Sequence, residues 1–145
     1  MKDIDLDAEG NPVILVVTSN DHKPGPSGEP RIWTIAHWTG NQWAFYQVIC
    51  STHNYDMGPL YIDSTEESSN IGSPGQWRLI APTEPGPEYW GTGGEMAIWI
   101  SRDQGQHWEI GKQLTRGSHF NHTYARRPVN AHPDFYAFWA DGNPD

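Results

Sequence analysis

Apolar residues along this chain come in short runs with strand character, separated by polar stretches rich in Gly and Pro. Pro12-Val13-Ile14-Leu15-Val16-Val17-Thr18 is continuous and β-branched. A run that apolar does not suit a strand with one wet face, so burial on both faces is expected. Arg31-Ile32-Trp33-Thr34-Ile35-Ala36-His37-Trp38 and Trp43-Ala44-Phe45-Tyr46-Gln47-Val48-Ile49 flank Thr39-Gly40-Asn41-Gln42. That pattern predicts a hairpin closed by a glycine-containing turn. Leu60-Tyr61-Ile62-Asp63, Trp77-Arg78-Leu79-Ile80-Ala81, Glu95-Met96-Ala97-Ile98-Trp99-Ile100, His107-Trp108-Glu109-Ile110 and Phe135-Tyr136-Ala137-Phe138-Trp139-Ala140 complete the predicted strands. Residues 64–75 are polar enough to form a mobile insertion.

Composition narrows the class. The 145 residues include 15 Gly and 12 Pro, too many breakers for a helical bundle, so an all-α fold is excluded. The 8 Trp, 6 Tyr and 4 Phe can stabilise a core, which argues against disorder. No window approaches the roughly 18 apolar residues of a membrane helix, so no membrane span is expected. Met1-Lys2-Asp3-Ile4 does not resemble a secretory signal. The net charge of −9, with one adjacent cation pair at Arg126-Arg127, makes nucleic acid a poor partner. The single cysteine, Cys50, rules out an internal disulfide framework and is expected as a small buried hydrophobe.

The strand pattern repeats. A shift of 65 residues places Thr18 on Thr83, Gly28 on Gly93, Ile35 on Ile100, Gly40 on Gly105 and Trp43 on Trp108, with no gap. In both copies an apolar strand enters a Pro/Gly-rich loop, and a second strand then enters a Gly-x-x-Trp turn. Ile4-Asp5-Leu6-Asp7 matches Leu60-Tyr61-Ile62-Asp63, and a third copy is expected to begin at Arg126-Arg127-Pro128-Val129. Repeated four-stranded units with turn signals describe β-propeller blades. The expected fold is therefore all-β, about two and a half four-stranded antiparallel blades. Their bounds are 1–52, 53–118 with the second turn, and an incomplete blade over 119–145.

Ser101, Asp103, Gly105 and Trp108 fit the pattern Ser-x-Asp-x-Gly-x-x-Trp, which resembles the Asp box of sialidase-type propellers, the BNR repeat. The chemistry suits a tight turn: Asp103 can accept backbone N–H groups, Gly105 can take positive φ, and Trp108 can fold back under the hairpin. In that family the box is structural. His53-Asn54-Tyr55-Asp56-Met57-Gly58, Thr83-Glu84-Pro85-Gly86-Pro87, Asn121-His122-Thr123-Tyr124-Ala125-Arg126-Arg127-Pro128 and Phe138-Trp139-Ala140-Asp141-Gly142 also resemble bacterial BNR-repeat proteins, whose relatives include seven-bladed ulvan-type polysaccharide lyases. The resemblance covers most of this chain but only the later part of such a propeller. It implies a C-terminal-side fragment of a larger ring, inactive by itself, whose parent is extracellular or periplasmic. Open sheet faces on such a piece are expected to drive self-association.

By that resemblance the ligand is a polysaccharide or oligosaccharide, and the leading activity is β-elimination on a uronate. Such a reaction needs a base, a group that neutralises the carboxylate, and an acid for the leaving oxygen. The candidates are His53 or His122 as base, Tyr124 as acid, and Arg126 or Arg127 with Asn121 on the carboxylate. Asn54, Tyr55, Tyr89 and Trp90 are candidate sugar contacts. If 126–127 is strand, one arginine faces the ligand and the other pairs with Asp134 or Asp141. Structural alternatives stand beside each role: His53 and His122 as loop hydrogen bonders, Tyr124 as a core residue, and His22, His37 and His107 as surface residues. A structural zinc or calcium is a further possibility, with His119, His122 and His53 as weak ligand candidates. Two other functional classes remain open. One is a sialidase-like hydrolase using Glu84, Glu88 or Glu95; the other is a non-catalytic sugar-binding module.

Overall fold

The computed structural model of the chain describes residues 2–52, 56–62, 75–130, 132 and 135–141. The described residues form ten strands: β1 (Asp3–Leu6), β2 (Pro12–Thr18), β3 (Arg31–Trp38), β4 (Trp43–Ser51), β5 (Leu60–Ile62), β6 (Trp77–Glu84), β7 (Glu95–Ser101), β8 (Glu109–Gln113), β9 (His122–Arg126) and β10 (Phe138–Asp141). They form two four-stranded antiparallel sheets, β1-β2-β3-β4 and β5-β6-β7-β8, and a two-stranded pair β9-β10. The fold is all-β, and each four-stranded sheet is a meander in chain order. A three-residue 3-10 turn, Pro26–Gly28, sits in the β2–β3 loop.

Alternation decides which residues meet. In the first sheet Val13 pairs His37, Leu15 pairs Ile35 and Val17 pairs Trp33, so odd-numbered side chains of β2 and β3 share one face. Val13, Leu15, Trp33 and Ile35 are all buried to within 1%. They pack against Trp77, Leu79, Ala81, Ala97 and Trp99, the odd face of the second sheet, in one core. Each such large side chain contributes about 1.5–3 kcal/mol on leaving water. The second sheet's even face, with Ile80, Met96 and Ile98, packs instead on Ala125, Tyr136 and Trp139 around the β9-β10 pair. An offset of 65 is odd, so it carries Leu15 onto Ile80 and Trp33 onto Ile98. The face each sheet turns to its successor therefore recurs one unit later.

That stacking corrects the expectation for β2. Its odd residues are core, but Ile14 and Val16 on the even face are only half-buried. The second sheet has neighbours on both sides, and β6 is buried along almost its whole length. Cys50, expected inside, is exposed, and its register partner is Ile32 on the same open face. His37, expected at the surface, is 5% exposed; its Nε2 lies 2.8 Å from Asp7 Oδ2 and its ring meets Trp77 edge-on.

The first strands of successive units are tied by carboxylates. Leu60 N–H donates to Asp3 Oδ2 (2.7 Å) and Ile62 N–H to Asp5 Oδ2 (3.3 Å). Arg127 joins the same carboxylate of Asp5 at 2.9 Å and lies over the Tyr61 ring at 5.3 Å. Its partner is thus Asp5. The alternatives fall elsewhere: Asp141 sits by His122, and Asp134 lies outside the described residues. The third unit begins with β9 at His122, earlier than expected, because antiparallel bridging to Gly94 fixes its start and Pro128 cannot donate to a ladder.

The turn at 101–108 is held by its own side chains. Gly105 N–H donates to Ser101 Oγ (2.9 Å), Ser101 Oγ to Asp103 Oδ1 (2.8 Å), and His107 N–H to Asp103 Oδ1 (2.9 Å). Trp108 Nε1–H donates to Gly105 O at 2.8 Å, folding the indole under the turn. Gly105 has φ +83°, and a Cβ there would lie 2.6 Å from the Trp77 ring. Burial works to raise the Asp103 carboxyl, but the His107 N–H, the His107 ring and the Ser101 hydroxyl outweigh it and hold it at about 2. The hydrogen bonds occupy the turn residues, and β8 starts at Glu109 in place of His107.

Candidate functional site

A cleft of about 680 Å³ opens where the first strands of the three units converge. Lys2 and Asp3 reach it from the start of β1, Met57, Gly58 and Pro59 from the segment entering β5, and Ala125 to Asn130 from the end of β9. Its walls are apolar at Met57, Pro59, Pro128 and Val129, and its charged groups are mostly cationic. A concave site with a few charges on apolar walls is the usual form of a small-molecule pocket. Arg127 is committed to Asp5, whereas the Arg126 guanidinium makes a long 3.4 Å hydrogen bond to the Ala125 carbonyl.

Asp56 lies behind this cleft at 3% exposure. Its Oδ1 accepts N–H bonds from Met57 (2.6 Å) and Tyr124 (3.0 Å), tying the entry of β5 to the middle of β9. Tyr124 has φ +55° at the irregularity between β9 and β10, and its ring is 57% exposed. A left-handed conformation is costly for a bulky residue, so the Asp56 bond holds a strained backbone in place. Asp56 Oδ2 is buried and has no hydrogen-bond partner among the described residues. Burial pushes this carboxyl up to about 6, even though the two N–H donors and the cations Lys2 and Arg126 pull it down. Burial likewise lowers the Lys2 ammonium, with Asp56 opposing and Arg126 adding to the effect.

His122 sits in a separate, closed network. The ring is 4% exposed and packs edge-on to Trp139. Its Nε2 lies 2.8 Å from Ser118 Oγ, which also donates to Glu95 Oε2 at 2.9 Å, while Nδ1 is 3.5 Å from Asp141 Oδ1. Burial acts to raise the Glu95 carboxyl, but the Thr115 and Ser118 donors and His122 bring it below its ordinary value. His122 is not among the residues that line the cleft.

Asn121, 3% exposed, spends its amide on backbone. Oδ1 accepts from Glu88 N–H (3.1 Å), and Nδ2 donates to the carbonyls of Glu88, Thr92 and Gly93 at 3.0–3.2 Å. It pegs the loop that carries Tyr89 and Trp90. Those rings meet edge to face, 4.7 Å apart at 80°, with Tyr89 59% exposed and Trp90 at φ +66°. His53, Asn54 and Tyr55 lie outside the described residues. His119 is exposed, and no group of three His, Cys, Asp or Glu side chains is placed to hold a metal among the described residues.

The structure thus brings Arg126 and Arg127 to the cleft together with Lys2. Tyr124 and Asp56 do not line it; they are joined to each other through the Tyr124 N–H, with the Tyr124 side chain exposed. His122 contacts Ser118 and Asp141, Asn121 bonds the backbone of the loop that carries Tyr89 and Trp90, and none of these four residues lines the cleft. Asp56 was visible in sequence only as one member of a polar cluster, and Lys2 carried no motif at all. No family model, no curated protein and no solved structure matches the sequence.

Proposed function

We propose that these sheets are blades of a β-propeller and that the cleft binds a carboxylate-bearing sugar, with β-elimination on a uronate-containing glycan as the reaction. Support for the binding role comes from the cleft itself: Lys2 and Arg126 flank apolar walls at the convergence of β1, β5 and β9. Arg126 neutralises the sugar carboxylate, a role suited to its planar fork of donors, and Lys2 adds a second positive charge. Tyr124, exposed next to Ala125 and Arg126, supplies the proton for the leaving oxygen. The C5 proton goes to His53, the other candidate base, which lies outside the described residues, while the His122 ring packs against Ser118, Trp139 and Asp141.

A second reading, glycoside hydrolysis, is favoured by one observation. Asp56 is a buried carboxyl held at about 6, the range in which a general acid works near neutral pH. Incubation with uronate oligosaccharides separates the classes. Ultraviolet absorbance of an unsaturated product, lost in Tyr124→Phe and Arg126→Ala, supports elimination. New reducing ends without that absorbance support hydrolysis. Binding without either product leaves a recognition module, and absence of binding removes the carbohydrate reading altogether.

A further inference from the structure

We propose that the open face of the first sheet is a self-association surface, covered in solution by the same face of a second copy of this chain. The surface is the even-numbered side of β1–β3 with its register partners on β4. It joins Leu6, Ile14, Val16, Ile32, Trp43 and Phe45 into one apolar area. Leu6 is 53%, Trp43 42% and Phe45 68% exposed, while Ile14, Val16 and Ile32 between them are half-buried. The strand β2 is apolar on both sides, yet only its odd side lies in the core.

Two features select a second copy as the occupant. The first is charge. The chain carries −9, so most of its surface repels another copy, but this face holds no Asp, Glu, Lys or Arg among the described residues. Its polar members are only Thr18, Thr34 and Gln47, with Cys50 beside them. A two-fold pairing therefore buries no charge, and the same patch serves both partners. The second is extent. Four strands about 4.8 Å apart and seven or so residues long give two such faces a footprint of roughly 900 Å² in total, close to the roughly 1,000 Å² that separates specific interfaces from incidental contacts and the size of a reversible one.

The chain's own packing shows what such a pattern accepts. The 65-residue offset carries Ile14, Val16 and Ile32 onto Leu79, Ala81 and Ala97. Those three residues are the covered face of the second sheet, and what covers them is another apolar sheet face. Sheet-on-sheet packing is thus a contact that this pattern already makes once, there with the opposite face of the neighbouring sheet and in the proposed dimer with its own equivalent. The inference is independent of any sugar chemistry in the cleft.

Sedimentation velocity on the full chain tests it, from low micromolar to about 100 μM, a span that brackets weak and moderate affinities. The expected result is a reversible dimer of twice the 16.4 kDa chain mass. Phe45→Glu and, separately, Leu6→Lys place charges on both halves and weaken the dimer at least about 100-fold. Tyr89→Glu, an exposed aromatic off this face, leaves it unchanged. Both affected side chains are more than half exposed, and near-ultraviolet circular dichroism confirms that each monomer stays folded. Cys50 supplies an independent readout: its reaction with a thiol reagent slows as wild-type concentration rises, but not in Phe45→Glu. A wild-type monomer throughout the range overturns the proposal, as does an assembly indifferent to both substitutions.

Discussion

Gly105→Ala tests the packing of the 101–108 turn, with Gly40→Ala as its internal reference. Both glycines have positive φ, +83° and +90°, so both variants pay for an L-residue in the left-handed region, about 1–2 kcal/mol. They differ in surroundings. A Cβ at Gly40 meets nothing within 4 Å among the described residues, whereas one at Gly105 falls 2.6 and 2.8 Å from two Trp77 ring carbons. Trp77 is 3% exposed, with His37 against its ring at 5.1 Å, so it has little room to retreat. Overpacking of that kind costs a further ~1–3 kcal/mol. The expected losses are about 1 kcal/mol for Gly40→Ala and about 3 kcal/mol for Gly105→Ala. Urea denaturation followed by tryptophan fluorescence, at one fixed protein concentration, gives both values from midpoints at constant m. Equal losses would refute the claim that Gly105 is required by its contact with Trp77.

Two carboxyls make opposite predictions with pH. Asp56 is raised from 3.8 to about 6, so its contribution to stability is fully present below pH 3.8 and lost as pH rises through 6. Asp56→Asn removes that dependence, and the variant gains up to about 3 kcal/mol on wild type between pH 4 and pH 8 in denaturation experiments. Asp103 is lowered from 3.8 to about 2, so its contribution is present above pH 3.8 and lost as pH falls through 2. With the side chain 39% exposed, solvent screening limits this to about 1 kcal/mol, and Asp103→Asn abolishes that acid-range loss.

The sheets were legible because their information is local. Strand runs, the Thr39-Gly40-Asn41-Gln42 turn and the 65-residue offset all lie in contiguous sequence, and an odd offset already encodes the alternation of faces from Leu15 to Ile80. Single residues were less so. His37 looked solitary because its partner Asp7 is 30 positions away, across the sheet. Pro12–Thr18 reads as buried on both sides, because apolarity reports that a face seeks cover without saying whether this chain supplies it. The cleft was least legible. It joins Lys2, Met57 and Arg126, which share no motif, and the Asp56 bond to the Tyr124 N–H spans 68 positions. Arg126 and Tyr124 stood out as residue types, but Lys2 gained significance only from where the strands converge.

The most direct measurement of the proposed function is a calorimetric titration of the chain with an oligouronate and with the same oligosaccharide after reduction of its carboxyls to alcohols. Binding of the uronate is expected, weakened at least about tenfold both by carboxyl reduction and by Arg126→Ala, the loss of roughly one charge-assisted contact. Equal affinity for the two oligosaccharides, or no heat from either, would contradict a carboxylate site between Lys2 and Arg126.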